Sequence, residues 1–105
     1  MNFNKYHAKK EVVDGITFDS RKEASRYRQL KLMERAKEIQ DLKVHQKYPL
    51  IPKDEMGPEI RYVADFTYYE NGHLVVEDVK GYKTQVYKLK RRLMFKEHNI
   101  KIKET

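Results

Sequence analysis

The sequence predicts a single domain of the mixed α/β (α+β) class, in which helices cover a mixed sheet. Its 105 residues are the size of one ordinary domain, and they are expected to form one unit over residues 1–105. Two segments have the composition of amphipathic helices, and several others alternate apolar with polar residues as strands do. Asp-Gly and Asn-Gly pairs between alternating segments indicate tight hairpins. The expected order is small hairpin, helix, three strands, helix, strand.

The N-terminal third of the chain predicts a small hairpin followed by a helix. The Asp-Gly pair within residues 12–18 stands between β-branched residues, which is a type I′ turn signal. Ser20 and Glu23 fit the capping-box pattern, and good helix formers continue to about residue 37. The apolar stripe of this helix is broad, so we expect the helix to pack against a sheet.

Three strands are predicted for the middle of the chain. Residues 40–51 alternate loosely and are followed by Pro52, and residues 60–69 and 74–80 form the second and third strands. The Asn-Gly pair between the last two strands is the strongest short-range hairpin signal. We therefore expect these two strands to be antiparallel neighbours.

The last third predicts a helix and a closing strand. Residues 84 to about 98 form the helix, with Val86, Leu89 and Leu93 on its apolar side and basic residues around the rest. Residues 99–103 alternate again and are expected to form the final strand.

Composition narrows the classes of function. The chain has no cysteine, which excludes disulfides, thiolate nucleophiles and zinc–thiolate sites. No apolar run approaches the roughly 20 residues that cross a bilayer, so we expect a cytoplasmic protein without a membrane segment. The formal net charge of +7 favours polyanionic partners, nucleic acid first and anionic membrane second.

Cations concentrate in two segments that contain no acid, residues 1–10 and residues 83–96. In the second helix they would line one side of a site and contact phosphates. In residues 1–11 they would form a flexible basic arm, although a plain disordered tail is the alternative. A solvated helix face is the alternative for the second segment. The candidate nucleic-acid contacts are Lys88, Lys90, Arg91, Arg92, Lys9 and Lys10.

Tyrosine and glutamine side chains are further candidates for contacts with nucleic acid or for support of the site. Tyr82 and Tyr87 are candidates for stacking on unpaired bases, although core tyrosines are commoner. Gln46, on the first predicted strand, is a candidate for a supporting contact at the acidic site described next.

The third predicted strand carries a buried-looking pair of charges. Because side chains alternate along a strand, Asp78 and Lys80 share one face while Glu77 and Val79 point to the other. A β-bulge at this point would place Glu77, rather than Asp78, on the face of Lys80. Asp65 lies at a similar height on the adjacent strand, about 4.8 Å away, so its carboxylate and that of Asp78 can share a cation such as Mg²⁺. An ordinary cross-strand salt bridge between Asp65 and Lys80 is the alternative.

Glu23 is a candidate third acid of this site. On a helix it lies between Tyr27 and Leu30, so its carboxylate faces the sheet. The pattern alone favours a different role, in which Glu23 returns a capping hydrogen bond to Ser20. Lys80, beside two carboxylates and a metal, can activate a water or stabilise charge on a phosphate. Acids, a divalent metal and a lysine are the minimum set for phosphodiester hydrolysis.

These residues together resemble the PD-(D/E)XK nuclease superfamily, whose core order is helix, three strands, helix, strand. Residues 18–24, 62–66 and 76–81 more closely resemble a small phage and prophage family of presumed endonucleases, often compared to Holliday-junction resolvases. The likeness covers nearly the whole chain and implies a restriction-endonuclease-like core. One departure is Ala64, where the motif's name has proline; this position supplies no ligand.

The resemblance assigns a role to each site residue. It implies that Asp65 and Asp78 bind Mg²⁺ (or Mn²⁺), that Val79 lends its backbone carbonyl to the metal, and that Lys80 is catalytic. It also implies that Glu23 is a metal or water ligand, rather than only a helix cap.

We therefore expect a metal-dependent DNA endonuclease that acts on branched or distorted DNA in phage recombination, replication or repair. It would work in the cytoplasm of a bacterial host, encoded by a phage or prophage. A two-fold homodimer would supply the two symmetric cuts that a four-way junction needs. A non-catalytic DNA-binding module of the same fold is the first alternative, and a small interaction protein of a phage operon is the second.

Overall fold

The computed structural model of the protein describes residues 9–105 and has the expected α+β class. Within this range, no helix is long and apolar enough to cross a membrane. The first eight residues of the predicted basic arm lie outside the described range. The helices are α1 (Arg21–Arg35) and α2 (Gln85–His98), and the strands are β1 (Glu11–Val13), β2 (Ile16–Phe18), β3 (Gln40–Val44), β4 (Lys47–Ile51), β5 (Ile60–Val63), β6 (Phe66–Glu70), β7 (His73–Asp78) and β8 (Lys103–Glu104).

A mixed four-stranded sheet occupies the centre, with strand order β3-β6-β7-β8. The pairs β3–β6 and β6–β7 are antiparallel, whereas β7 and β8 are parallel. Strands β1 and β2 form the predicted small hairpin, and β4 pairs with β5 in a separate two-stranded ribbon.

Both predicted hairpin turns are confirmed. Asp14 and Gly15 have φ values of 52° and 77°, and Asn71 and Gly72 have 52° and 78°. Positive φ at both central residues is the requirement of a type I′ turn, which Asn, Asp and Gly meet at little cost.

Helix α1 begins where the capping pattern predicts. The Ser20 hydroxyl accepts a hydrogen bond from the Glu23 backbone N at 3.0 Å. The helix ends at Arg35, two residues short of the prediction, because Lys37 turns to a φ of 64°. The buried apolar residues of α1 pack in one core cluster with Phe18 and with residues of β6. Besides Phe18, the members of this cluster are Ala24, Tyr27, Leu30, Ile39, Phe66, Tyr68 and Val79.

Two predicted strands are each divided in two, which corrects the sequence-based boundaries. The first breaks after Val44 because His45 has a φ of 59°, and the second breaks at Ala64 and Asp65. Two hydrogen bonds hold the breaks side by side, from His45 N to Asp65 O at 3.2 Å and from Ala64 N to Gln46 O at 2.9 Å. The long ribbon therefore bends, so that one half joins the central sheet and the other does not.

Helix α2 turns a different face to the core than its periodicity indicated. Tyr87 and Met94 are buried and Leu93 is half-buried, whereas Val86 and Leu89 are 64% and 59% exposed. Because apolar and basic residues are mixed around this helix, periodicity alone does not select one face. The larger Tyr87 and Met94 side chains fill the space against β4 and β5.

The predicted final strand is shorter and later than expected. Asn99 ends α2 in a left-handed conformation with φ of 55°, and the Ile100 N bonds back to Met94 O at 3.3 Å. Only Lys103–Glu104 forms β8, parallel to the end of β7. This pairing places the C-terminal residues beside Glu77 and Asp78, the last two residues of β7.

Candidate active site

A cavity of about 380 Å³ lies where the end of β7, the bend in the ribbon and the first turns of both helices meet. All five residues of the predicted site line it, namely Glu23, Asp65, Asp78, Val79 and Lys80. They are separated by up to 57 positions in the chain, so only the tertiary fold brings them together.

Asp78 is almost completely buried, at 2% exposure. Its Oδ2 accepts a hydrogen bond from the Tyr62 hydroxyl at 2.5 Å, and its Oδ1 lies 3.5 Å from the Lys80 Nζ. A buried carboxylate needs such partners, because water no longer stabilises its charge.

Asp65 lies in the bend between β5 and β6, facing the end of β7. Its Oδ2 accepts a hydrogen bond from the Val79 backbone N at 2.7 Å. Burial, the hydrogen bond with Asp78 and the charges of Asp78 and Glu23 raise the pKa of Asp65 to about 9. These surroundings therefore favour the protonated form of Asp65 more than water does.

The backbone and the carboxylate of Glu23 make two different contacts. Its backbone N is capped by Ser20, while its carboxylate reaches the acids of the cavity and hydrogen-bonds with Asp65. Burial first, and then the charges of Asp19 and Asp78, raise the pKa of Glu23 above its ordinary value. The observed cap uses the backbone of Glu23 rather than its carboxylate, which leaves the carboxylate for the cavity.

Lys80 is held between a carboxylate and an aromatic ring. Its Nζ is 3.5 Å from Asp78 Oδ1 and 4.2 Å from the centroid of the Tyr87 ring. Tyr87 is itself fixed by a hydrogen bond from its hydroxyl to Glu104 at 2.6 Å. Tyr87 is only 6% exposed and its ring is covered by Lys80, so it offers no platform for a base; Tyr82 is 85% exposed.

Glu77 points away from the cavity, as strand alternation predicts. It is fully buried and accepts hydrogen bonds from Arg26 at 2.6 and 2.9 Å, from Tyr68 at 2.6 Å and from Thr105 at 3.1 Å. Burial would raise the pKa of Glu77, but the bonds from Arg26 and Tyr68 outweigh it and lower the pKa. The β6–β7 register has no bulge, so Asp78 is the acid that shares a face with Lys80.

The four basic residues of α2 that were predicted to contact nucleic acid do not line a single surface. Lys90 lines the acidic cavity, whereas Lys88, Arg91 and Arg92 line a separate hollow of about 610 Å³. On a helix, Lys88 and Lys90 are about 200° apart, which explains the division. Lys9 and Lys10, before β1, are exposed and line neither hollow.

Several residues of the cavity were not expected from the sequence. Tyr62, His45, Asp19 and Thr84 line it, while Gln46, the expected supporting residue, lines a different hollow beside β6. Because the backbone of His45 is left-handed, His45 rather than Gln46 lines the acidic cavity. Asp19 and Thr84 could have been found, because each lies at the start of a predicted helix. Tyr62 could not, because its place depends on the bend in the ribbon.

The acids of the cavity are not a preformed metal cage. Among residues 9–105, no group of three or more His, Cys, Asp or Glu side chains is arranged to hold a metal ion. The carboxylates of Glu23, Asp65 and Asp78 line one cavity without forming such a group.

Comparison with known proteins identifies a family but no described activity. No curated protein and no solved structure shows significant similarity to the chain. A family model described as "Protein of unknown function (DUF1064)" matches residues 3–105. Since this match spans nearly the whole chain, the protein belongs to the DUF1064 family.

Proposed function

We propose that this protein is a Mg²⁺- or Mn²⁺-dependent endonuclease that hydrolyses phosphodiester bonds of branched or distorted DNA. The observation that carries the proposal is the convergence of Glu23, Asp65, Asp78 and Lys80 on one cavity. Three carboxylates and an ammonium group are costly to bury together, and within residues 9–105 Glu23 forms no ion pair that would account for its burial.

The strand order supports a restriction-endonuclease-like core. In chain order, α1 is followed by the bent β3–β4 and β5–β6 segments, β7, α2 and β8. This is the order helix, three strands, helix, strand, with the last strand parallel to the third. The acids stand at the end of the third strand and at the bend of the second, as in the nucleases that the sequence resembles.

The donor set suits a hard cation. Mg²⁺ is commonly bound by one or two carboxylates and keeps several waters, so the pair Asp65 and Asp78 would hold it without a full protein cage. Because burial and the neighbouring acids raise the pKa of Asp65, the ion would compete with a proton for this carboxylate. The Val79 backbone lines the same cavity and would lend its carbonyl.

Each side chain then has a distinct task in hydrolysis. The bound ion would supply an activated water and stabilise charge on the phosphate. Glu23, whose pKa is raised, accepts a proton from the attacking water at its carboxylate. Lys80 directs its Nζ at an oxygen of the phosphate and stabilises the developing charge. Lys90, on the rim, binds a neighbouring phosphate.

Branched DNA, rather than plain duplex, is the proposed substrate because the likeness is to junction resolvases. A single domain of this size has one cavity of this kind within residues 9–105, so paired cuts need a second copy. DNA and a second protomer are accordingly the proposed partners.

The test is cleavage of end-labelled duplex, single-stranded, flap and four-way-junction DNA with Mg²⁺ or Mn²⁺. We expect cutting of at least one branched substrate, its loss on addition of EDTA, and its loss in Asp78→Asn. Asp41→Asn is the matched control, since Asp41 is an exposed acid that also precedes a lysine by two positions. The mass of the protein on and off a junction, by analytical ultracentrifugation, tests the dimer.

Equal cleavage by the parent and by Asp78→Asn would contradict the proposed site. If no substrate is cut with either metal, but salt-sensitive binding of branched DNA persists in Asp78→Asn, the non-catalytic DNA-binding module is the correct function. Absence of DNA binding at low salt would instead favour a protein-interaction role.

A further inference from the structure

A basic groove lies on the side of α2 that faces away from the acidic cavity. It runs between α2 and the returning C-terminal segment, has a volume of about 610 Å³, and adjoins a hollow of about 500 Å³ that shares Phe95, Ile100 and Lys101. We call it the Phe95 groove and define it by Phe95 and the cations around it, Lys88, Arg91, Arg92 and Lys101.

The charge of the Phe95 groove suits a polyanion. Among its lining residues, four are cationic and one, Glu104, is acidic. The Glu104 carboxylate is already occupied by hydrogen bonds from Tyr87 at 2.6 Å and Arg91 at 2.8 Å. Within residues 9–105, Lys88, Arg92 and Lys101 form no ion pair, so their charges remain available to a ligand.

The groove also presents an aromatic ring. Phe95 is 49% exposed, whereas Phe18 and Phe66 are fully buried. The Lys101 Nζ lies 5.9 Å from the ring centroid, and Ile100 and Ile102 are half-buried beside it. A flat apolar surface with cations at its margin is the arrangement on which an unpaired base stacks while its phosphates are neutralised.

We propose that the Phe95 groove binds a single-stranded segment of nucleic acid, with a base stacked on Phe95 and phosphates held by Lys88, Arg92 and Lys101. A duplex hides its base faces and would use only the cations. An acidic peptide would pair with the same cations but has no need of the exposed ring. A second copy of this chain carries the same net charge of +7, which opposes association through a basic surface.

The inference deepens the proposed function and rests on it for its biological meaning. Because Lys88 and Lys90 lie on opposite sides of α2, one strand segment cannot contact both at once. A DNA with a cleavable duplex region and an unpaired arm can occupy the cavity and the groove together. This points to flaps and branched junctions with single-stranded arms as the preferred substrates.

Binding is measured by fluorescence anisotropy of a labelled oligo-dT in buffer with EDTA, so that cleavage does not contribute. Phe95→Ala is expected to weaken binding roughly tenfold, because stacking of one base is lost. Phe95→Tyr keeps a ring and is expected to bind as the parent does. Leu32→Ala, which truncates another exposed apolar side chain on α1, is the matched control and leaves affinity unchanged.

Salt dependence separates the role of the cations from that of the ring. Arg92→Ala is expected to reduce the slope of log K against log salt by about 0.7, the value for one phosphate contact on a single strand. Arg35→Ala, the matched exposed arginine at the end of α1, leaves the slope unchanged. Phe95→Ala lowers affinity without changing the slope, and it leaves duplex binding unaffected.

Three results would overturn the inference: equal affinities of Phe95→Ala and Leu32→Ala, an equal loss for duplex and oligo-dT, or displacement of oligo-dT by polyglutamate as effective as by unlabelled oligo-dT. If Phe95→Ala fails to fold, as judged by circular dichroism, the inference is tested on the parent protein with a modified oligonucleotide. An oligo-dT with abasic sites must then bind it roughly tenfold more weakly than intact oligo-dT. Phe95-dependent binding without any cleavage would sustain this inference and reject the nuclease.

Discussion

The chain contains the same acid–x–lysine spacing twice, in two very different settings. Asp41 and Lys43 lie on β3, an edge strand of the central sheet, with their charged atoms 3.7 Å apart. Asp78 and Lys80 lie at the end of β7, between β6 and β8, with their charged atoms 3.5 Å apart. Both side chains of the first pair are 55% exposed, whereas those of the second are 2% and 26% exposed.

The difference between the two pairs lies in their neighbours. At the edge, water screens the two charges, and such a pair contributes between zero and about 1 kcal/mol. At the end of β7, Asp78 also contacts Tyr62 and lies beside Asp65 and Glu23, so its charge interacts with several groups in a medium of low polarity. The same sequence spacing is thus buried among other acids at the end of β7 and open to water on β3.

The largest effect is expected when the lysines of the two pairs are compared. Lys80→Ala is expected to lower the single-turnover rate of DNA cleavage by about 10²–10⁴-fold, because charge developing on the phosphate loses its ammonium. Lys43→Ala should leave the rate unchanged. A similar, small change in both variants would break the comparison, and so would a Lys80→Ala protein that loses DNA binding together with cleavage.

The second prediction extends the contrast to ion pairs that serve stability. Arg26→Ala leaves Glu77 fully buried without its cation, and we expect a loss of about 3–5 kcal/mol in the free energy of unfolding. Arg28→Ala removes the partner of Glu11 from a pair whose side chains are 53% and 30% exposed, and it should cost less than about 1 kcal/mol. Urea unfolding followed by circular dichroism measures both. A loss below 1 kcal/mol in Arg26→Ala would mean that burial does not set the value of these pairs.

Tyr62→Phe tests how far Asp78 depends on its neutral partner. Removal of the hydroxyl deletes the 2.5 Å hydrogen bond to a buried carboxylate, so we expect a loss of about 1–2 kcal/mol in stability and a roughly tenfold lower cleavage rate. The half-exposed Tyr69→Phe is the control and should be silent in both measurements. A parent-like Tyr62→Phe would show that water in the cavity replaces the phenol without loss.

The smallest expected effect concerns acid stability at the end of the chain. Hydrogen bonds from Tyr87, opposed by burial and aided by Arg91 and Lys83, lower the pKa of Glu104 from 4.5 to about 2. A lowered folded pKa means that the stabilisation is present above about pH 4.5 and is lost as the pH falls towards 2. Glu104→Gln should therefore be less stable than the parent near neutral pH, and the difference should shrink at low pH.

Urea midpoints between about pH 6 and pH 2 measure this difference, with the exposed Glu59→Gln as control. A constant gap between the parent and Glu104→Gln across that range would remove the proposed charge-dependent anchor of Tyr87.

Local signals in the sequence predicted local structure well. Ser20 begins α1, and the two Asn/Asp-Gly pairs form the turns, because capping and positive φ depend only on nearby residues. Strand alternation likewise separated Asp78 from Glu77, since no bulge interrupts β7. The grouping of Asp65 with Asp78 followed from the predicted hairpin, and the resemblance to a family supported Glu23 as the third acid; the structure brings these acids together.

Other features depend on contacts between distant segments. The bend at His45 and Asp65 breaks two strands whose alternation continues through it, and it brings Tyr62 to Asp78. The prediction of the inner face of α2 was wrong for the same reason. The helix packs on β4 and β5, and these strands take their positions only because the ribbon bends.

The sequence by itself determined the α+β class, the turns, the helix starts and the face on which Asp78 and Lys80 lie. These follow from backbone preferences and from the two-residue period of a strand. Only the tertiary structure decided that Tyr62 contacts Asp78, which cations of α2 reach the acids, and where Phe95 is exposed. Burial and charge environment depend on what packs around a residue, and residues far away in the chain supply those neighbours.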